Sequence, residues 1–290
     1  MTKLTVAILC LTLWAGCQPK KQAEASANPT PINGTLALYS KNVQDSFFIS
    51  TSFPADYDSS KKYPVVYVLD ANLYFDIFNV IMKKYSEVGL IPPAIVVGIG
   101  YKNFPAMDSL RNRDYTYPLA IPEYEMSTSG KADKFLSFIS NELASVIENK
   151  YAVDTSNRIL FGHSLGGYFT LYALQQSFQQ HPFFSGYIAA SPSLHYNNYY
   201  LIKEFEKIPK GNGVKAKVYL TYGGMEDGEA EKDATAQTTK KVLATLSKLL
   251  KERSVVVSKG DVYSALDHMN TQIPSFIKGM QWILQAEEGK

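Results

Sequence analysis

"RILFGHSLGGYFTLYAL", Arg158 to Leu174, is the stretch that decides the fold. Ile159-Leu160-Phe161 ends an apolar run of the kind that forms a buried strand, and Tyr168, Leu171, Tyr172 and Leu174 then recur at helical spacing. Between them stands Gly162-His163-Ser164-Leu165-Gly166, a G-x-S-x-G pattern. On a sharp strand-to-helix turn a serine hydroxyl is exposed above the sheet, and flanking glycines are needed because larger residues would collide with the adjoining strand and helix. The turn also aims a backbone N–H at the head of the helix, where the helix dipole favours developing negative charge. Glycine and serine are common enough that a chain of this length shows the bare pattern roughly once in ten by chance. The strand before it and the helix after it give it its weight.

Working outward, the same alternation continues. "TLALYSKN" and "DSFFISTSF" alternate like an antiparallel pair of strands. "YPVVYVLD" (Tyr63–Asp70) and "AIVVGIG" (Ala94–Gly100) are short β-branched runs that fit strands buried on both faces, with a helical pattern, "FNVIMKKYSEVG", between them. Gly89 ends that helix as a C-cap. Lys131 to Tyr151 is the clearest amphipathic helix, with Phe135, Phe138, Ile139, Leu143, Val146 and Ile147 on one face. After the serine come strands at "SGYIAASPS", "KAKVYLTYG" and "RSVVVSKGDV", a helix over Asp233–Glu252, and a last helix over Pro274–Gln285. Strands alternating with helices predict an α/β fold: a single doubly wound, mostly parallel sheet with helices on both faces, the α/β-hydrolase architecture.

Serine is a poor nucleophile until a base takes its proton, and on this fold the partners follow in the order serine, acid, histidine. Downstream of Ser164 the histidines are His181, His195 and His268. His181 precedes a proline at a helix end and reads as a surface residue; His195, in "SPSLHYNN", is placed to line a pocket. His268, in "YSALDHMNT", falls between the last strand and the last helix, where this fold keeps its base. The acid belongs after "KAKVYLTYG", where "GGMEDGEAEKD" offers Glu226, Asp227 and Glu229; Asp267 is a poorer candidate because adjacent residues rarely present side chains to each other. Leu165 N–H is the first oxyanion donor, and the N–H of Ala71 or Asn72, in "VLDANLYF", the second. The spacing of His, Cys, Asp and Glu offers no metal-ligand pattern, and the chemistry expected here requires no cofactor.

The beginning of the chain carries a separate signal. "MTKLTVAILCLTLWAGCQPKK" has a lysine, an apolar stretch from Leu4 to Gly16 and then Cys17, with an end that resembles a bacterial lipobox. The expected division is a lipoprotein signal peptide over 1–16, a polar tether over 17–34 beginning at lipidated Cys17, and one catalytic domain over 35–290. Cys10 would leave with the signal peptide, so the mature domain would hold no thiol for disulfide, redox or metal chemistry. The expected location is extracytoplasmic, with membrane contact through the lipid anchor only. With 29 basic and 27 acidic residues and no Lys or Arg run longer than two, a nucleic-acid partner is not indicated. The oligomeric state is left open.

Several blocks together resemble a known family, the α/β-hydrolase esterases related to esterase D and to the enterochelin (ferric siderophore) esterases. "YDSSKKYPVVYVLDANLYF" resembles the family's strand-and-oxyanion block, with Asp70-Ala71 for its usual Asp-Gly. "RNRDYTYP" (Arg111–Pro118) is similar to its Arg-x-x-Asp loop, "FGHSLGGYF" to its elbow and "AASPSLHY" to a block that usually ends in tryptophan. "GGMEDGE" resembles a Gly-x-x-Glu acid loop, which singles out Glu226 ahead of Asp227, and "DHM" resembles the histidine block. The resemblance implies a serine esterase acting on an extracytoplasmic ester such as a siderophore lactone or an acylated or feruloylated saccharide. Substrate contacts are expected from His195 and from Arg111, for which a structural pair with Asp114 is the competing reading. Acyl transfer on the same scaffold, or a non-catalytic glycan- or siderophore-binding lipoprotein, are the alternatives.

Overall fold

The computed structural model describes residues 34–179, 182–211, 214–228, 237–253 and 256–285. The expected signal peptide, Cys17, nearly all of the expected tether, His181 and Glu229 lie outside these residues. The chain forms β1 (Gly34–Ser40), β2 (Asp45–Ser52), β3 (Tyr63–Val68), α1 (Ala71–Glu87), β4 (Ile95–Gly100) and α2 (Phe104–Tyr115). Then come α3 (Ala132–Ser137), a π-helical turn (Phe138–Leu143), α4 (Ala144–Lys150), β5 (Val153–His163), α5 (Leu165–Ser177) and β6 (Gly186–Ala190). It ends with α6 (Tyr196–Lys207), β7 (Ala216–Gly223), α7 (Thr239–Lys251), β8 (Val256–Tyr263) and α8 (Gln272–Leu284).

One eight-stranded sheet runs in the order β1-β2-β4-β3-β5-β6-β7-β8. β1 and β2 pair antiparallel, β2 joins β4 antiparallel, and every other pair is parallel. Parallel neighbours need helical crossovers, which bury both faces of the sheet. In β3, Val65 and Tyr67 feed one core while Val66 and Val68 feed the other, and all four are fully buried. The first core takes Phe135 and Phe138, Phe169 of α5, Phe205 of α6 and Leu246 of α7. The second takes Tyr74, Phe78 and Met82 of α1 and Phe276, Met280 and Ile283 of α8, with Phe78 stacked on Phe276 at 3.9 Å between centroids. This is the α/β-hydrolase sheet.

Three elements differ from the sequence reading. α1 begins at Ala71 rather than Phe78, because Asp70 adopts a left-handed conformation (φ 51°) that turns the chain from β3 directly into the helix. "RNRDY", read as part of a loop, is the last turn of α2, whose buried residues Met107, Asp114 and Tyr115 make no apolar periodicity. α6 escaped notice because Asn197, Asn198 and Tyr199 all have positive φ (47°, 54° and 61°), which breaks the helical pattern at its start. The helix expected over 131–151 is present, but the π turn divides it. The helix expected from Asp233 is described only from Thr239.

Candidate active site

The sheet order reverses direction between β3 and β5. From β3 the chain crosses through α1 to β4 on one side, and from β5 through α5 to β6 on the other. The carboxyl ends of β3 and β5 therefore open a crevice headed by the N-termini of two helices, the place where open α/β sheets bind ligands. Ser164 sits on the β5–α5 turn with φ 60° and ψ −119°, a strained conformation for a residue with a side chain. The glycines permit it. A Cβ on Gly162 would lie 2.1 Å from the Gly166 carbonyl oxygen, and one on Gly167 would lie 3.0 Å from that of Ala190.

The elbow is pinned to the end of β6. Ser164 N–H donates to Ala190 O (3.0 Å), and Ser193 N–H donates to Ser164 O (3.1 Å). Ser164 Oγ lies 3.3 Å from Ser193 Oγ. Leu165 is the first residue of α5, so its N–H has no acceptor within the helix. At α1, Leu73 and Tyr74 N–H both return to Asp70 O, which leaves the Ala71 and Asn72 amides as the free donors at that helix head. Asn72 is held there by its side chain, which accepts from Tyr101 N–H (2.7 Å) and donates to Tyr101 O (2.9 Å). Gly98 on β4 makes room for this helix head, since an added Cβ there would come within 2.9 Å of the Ala71 Cβ.

His268 opens a 3-10 turn between β8 and α8, as its place in the sequence implies. Its Nδ1 lies 2.8 Å from Glu226 Oε2. A carboxylate accepts, so Nδ1 carries the proton and Nε2 is left as the basic nitrogen. Glu226 Oε1 accepts from Ser191 O–H (2.6 Å) and Gly223 N–H (2.5 Å). Burial works to raise the Glu226 pKa, but the hydrogen bonds from His268, Ser191 and Gly223 outweigh it and hold the carboxyl below its ordinary value. The neighbouring acids do other work. Asp227 accepts from Thr239 N–H and O–H at the head of α7, and Asp267 accepts from Met269 N–H and Asn270 Nδ2.

The substrate candidates separate. His195 stands beside a cavity of about 360 Å³ that also takes in Tyr199, Tyr222, Glu226 and His268, and its ring stacks on Tyr124. Burial and the neighbouring His268 lower its pKa. Arg111 is spoken for: Nε and Nη2 reach Asp70 Oδ1 and Oδ2 at 3.1 and 2.9 Å, and Nη2 reaches His163 O at 3.3 Å. Its structural partner is thus Asp70 and not Asp114, which pairs with Arg113 and Tyr101. A two-point ion pair buried on the Asp70 side leaves this guanidinium fixing the β3–α1 turn, with little left for a substrate anion.

The sequence reading passed over His163, Tyr74, Ser191, Ser193 and Thr271. His163 occupies the variable place in the elbow, at the end of an apolar run, and its only signal was a histidine where an apolar residue would pack. The hydroxyls are drawn in from α1 (Tyr74), the β6–α6 connection (Ser191 and Ser193) and the turn before α8 (Thr271), and no sequence spacing joins these three places.

The family model described as "Putative esterase" matches residues 40–282, and the chain belongs to that family and is an esterase. The ferri-bacillibactin esterase BesA of Bacillus subtilis is 34% identical over 217 residues, covering 69% of this chain and 74% of the relative. Among solved structures, the BES protein from Bacillus cereus superposes with a TM-score of 0.71 at 26% identity, covering 93% of this chain and all of that one. An IroE-like serine hydrolase from Shewanella oneidensis gives a TM-score of 0.72 at 25% identity, over 87% of this chain and 79% of its own.

Proposed function

We propose that this esterase hydrolyses siderophore esters through Ser164, His268 and Glu226. The observation that carries the reading is the Glu226–His268 hydrogen bond, together with the contact of His163, the residue before the positive-φ Ser164, on the His268 carbonyl. His268 Nε2 takes the Ser164 hydroxyl proton as Oγ attacks the ester carbonyl carbon, and the carbonyl oxygen becomes the oxyanion. Leu165 N–H and the N–H of Ala71 or Asn72 receive that charge, each at a helix N-terminus. His268 then gives its proton to the leaving alcohol, an acyl-serine remains, and water repeats the cycle to release the acid and restore Ser164. Glu226 stabilises the imidazolium formed in both halves, and no cofactor enters.

The substrate class rests on the relatives named for siderophores and on the cavity walls of Tyr199, Tyr222 and His195, which suit aryl groups flanking an ester. The test is product analysis by mass spectrometry after incubation with a cyclic catecholate trilactone, in parallel with feruloyl and acetylated sugars. Serine-dependent opening of the trilactone is expected; exclusive turnover of the sugar esters would move the substrate to polysaccharides. Diversion of the acyl group to an added alcohol instead of water would make the enzyme an acyltransferase.

We place the domain outside the cytoplasm on a lipid carried by Cys17, from the lipobox-like Leu13–Cys17 segment alone. Incorporation of labelled fatty acid that is lost in Cys17→Ser tests it; unlabelled parent protein would contradict it.

A further inference from the structure

We propose that His163 is a positioning residue for this reaction: its Nε2–H holds the peptide carbonyl of His268 and so fixes the base against the strand end that carries Ser164. The inference rests on the reading of Ser164 and His268 as nucleophile and base. His163 is the last residue of β5, immediately before Ser164, and is 2% exposed. Its Nε2 lies 2.7 Å from His268 O, and its Nδ1 lies 3.0 Å from the Tyr74 hydroxyl. The two rings pack with centroids 4.9 Å apart.

The partners settle the tautomer. A peptide carbonyl only accepts, so Nε2 carries the proton, and Nδ1 accepts from the Tyr74 O–H. Burial pushes the Tyr74 pKa up, so that hydroxyl stays a donor. Burial also pushes the His163 pKa down to about 4, against the hydrogen bond to His268; Arg111 and His268 lower it further and Glu226 opposes them. The ring is therefore neutral, with both nitrogens satisfied, over the range in which a histidine base works.

Packing alone would not select this residue. A buried imidazole needs two partners to offset its desolvation, and an apolar side chain would fill the volume without them. What the imidazole adds is a tie between two elements. The other group on the His268 carbonyl is the Thr271 hydroxyl at 3.3 Å, which belongs to the same turn. The Nε2–H of His163 comes from β5, and Tyr74 links the same ring to α1, whose N-terminus offers the second oxyanion donor. One neutral ring thus connects the nucleophile's strand, the base's turn and the helix that receives the oxyanion. Displacement of a catalytic group by about 1 Å can cost as much as 10²-fold in rate.

The test uses the whole chain with p-nitrophenyl acetate and compares His163→Leu, His163→Gln, Tyr74→Phe and His268→Ala, with a thermal melt of each. His163→Leu is expected to lower kcat about 10- to 100-fold with KM within about twofold, and to shift the acidic limb of kcat/KM. His163→Gln should recover most of kcat, because its amide N–H reaches the same carbonyl. A folded Leu variant with parental kcat and parental pH limb overturns the proposal, as does a folded Gln variant as impaired as Leu. If the Leu variant does not fold, Tyr74→Phe decides: reduced kcat at unchanged KM supports the proposal, and parental kcat overturns it. An active His268→Ala would instead bring down the underlying reading. An inactive His268→Ala beside a parental His163→Leu removes only this inference.

Discussion

Glu226 holds the His268 ring through Oε2 at 2.8 Å, while Asp227, the next residue, turns both its carboxylate oxygens to the head of α7. Two adjacent acids thus have separable work. Glu226→Gln replaces the acceptor facing Nδ1–H, and kcat should fall by about 10³- to 10⁴-fold with KM little changed. Asp227→Ala should leave kcat within about threefold and cost about 1 kcal/mol, as for other lost helix-head hydrogen bonds. Steady-state kinetics and a urea melt on both variants check the division.

The Arg111–Asp70 pair predicts a change in stability and not in affinity. Asp70 is 3% exposed at its side chain and Arg111 17%, so Arg111→Met leaves a buried carboxylate without its counter-ion. Losing one partner of such a pair costs about 3–5 kcal/mol. Denaturant midpoints should show that loss, and KM for a neutral ester should stay within about twofold. A raised KM with parental stability would return Arg111 to the substrate.

Gly162 is a position where one methyl group should be intolerable. The added Cβ meets the Gly166 carbonyl oxygen at 2.1 Å, which the backbone must move to relieve. Gly162→Ala is expected to yield insoluble or inactive protein. Gly211, at φ 79° with no atom within 4 Å of an added Cβ, is the control; Gly211→Ala should cost about 1 kcal/mol and keep full activity.

Proton linkage at His163 gives stability its own pH signature. Its folded-state pKa of about 4 lies below the ordinary value of 6.5, so the unfolded chain binds more protons between those values. Stability should be intact above pH 6.5 and fall as the pH drops toward 4, by up to about 3 kcal/mol. Glu226, whose pKa is also depressed, contributes stability present above its unfolded pKa and lost as pH falls through the lower folded one. His163→Gln should flatten the pH 4–6.5 region only, as read from melts across that range.

The sheet was legible because β-branched runs such as Val65–Val68 and Ile95–Val97 are buried on both faces and carry that in their composition. The elbow was legible because glycine is sterically obligatory at Gly162, and His268 because its place between the last strand and helix is set by chain order. α6 was not, since three consecutive left-handed residues interrupt its periodicity. Arg111 was read as a substrate contact, with Asp114, three positions along the chain, as its competing structural partner, because sequence alone cannot see that Asp70, from the end of β3, reaches its guanidinium. The polar ring of Ser191, Glu226, Thr271 and His163 around His268 exists only after folding, since each member arrives from a different loop or strand end.

Everything in the proposed reaction depends on one hydroxyl. The most direct measurement is p-nitrophenyl acetate hydrolysis by the parent protein and by Ser164→Ala, with labelling by a fluorophosphonate and a thermal melt in the same preparations. A melt within a few degrees of the parent, hydrolysis lowered by at least about 10³-fold and label found only on the parent are the expected results. A folded Ser164→Ala that hydrolyses the ester at the parental rate would contradict the assignment of Ser164 as nucleophile.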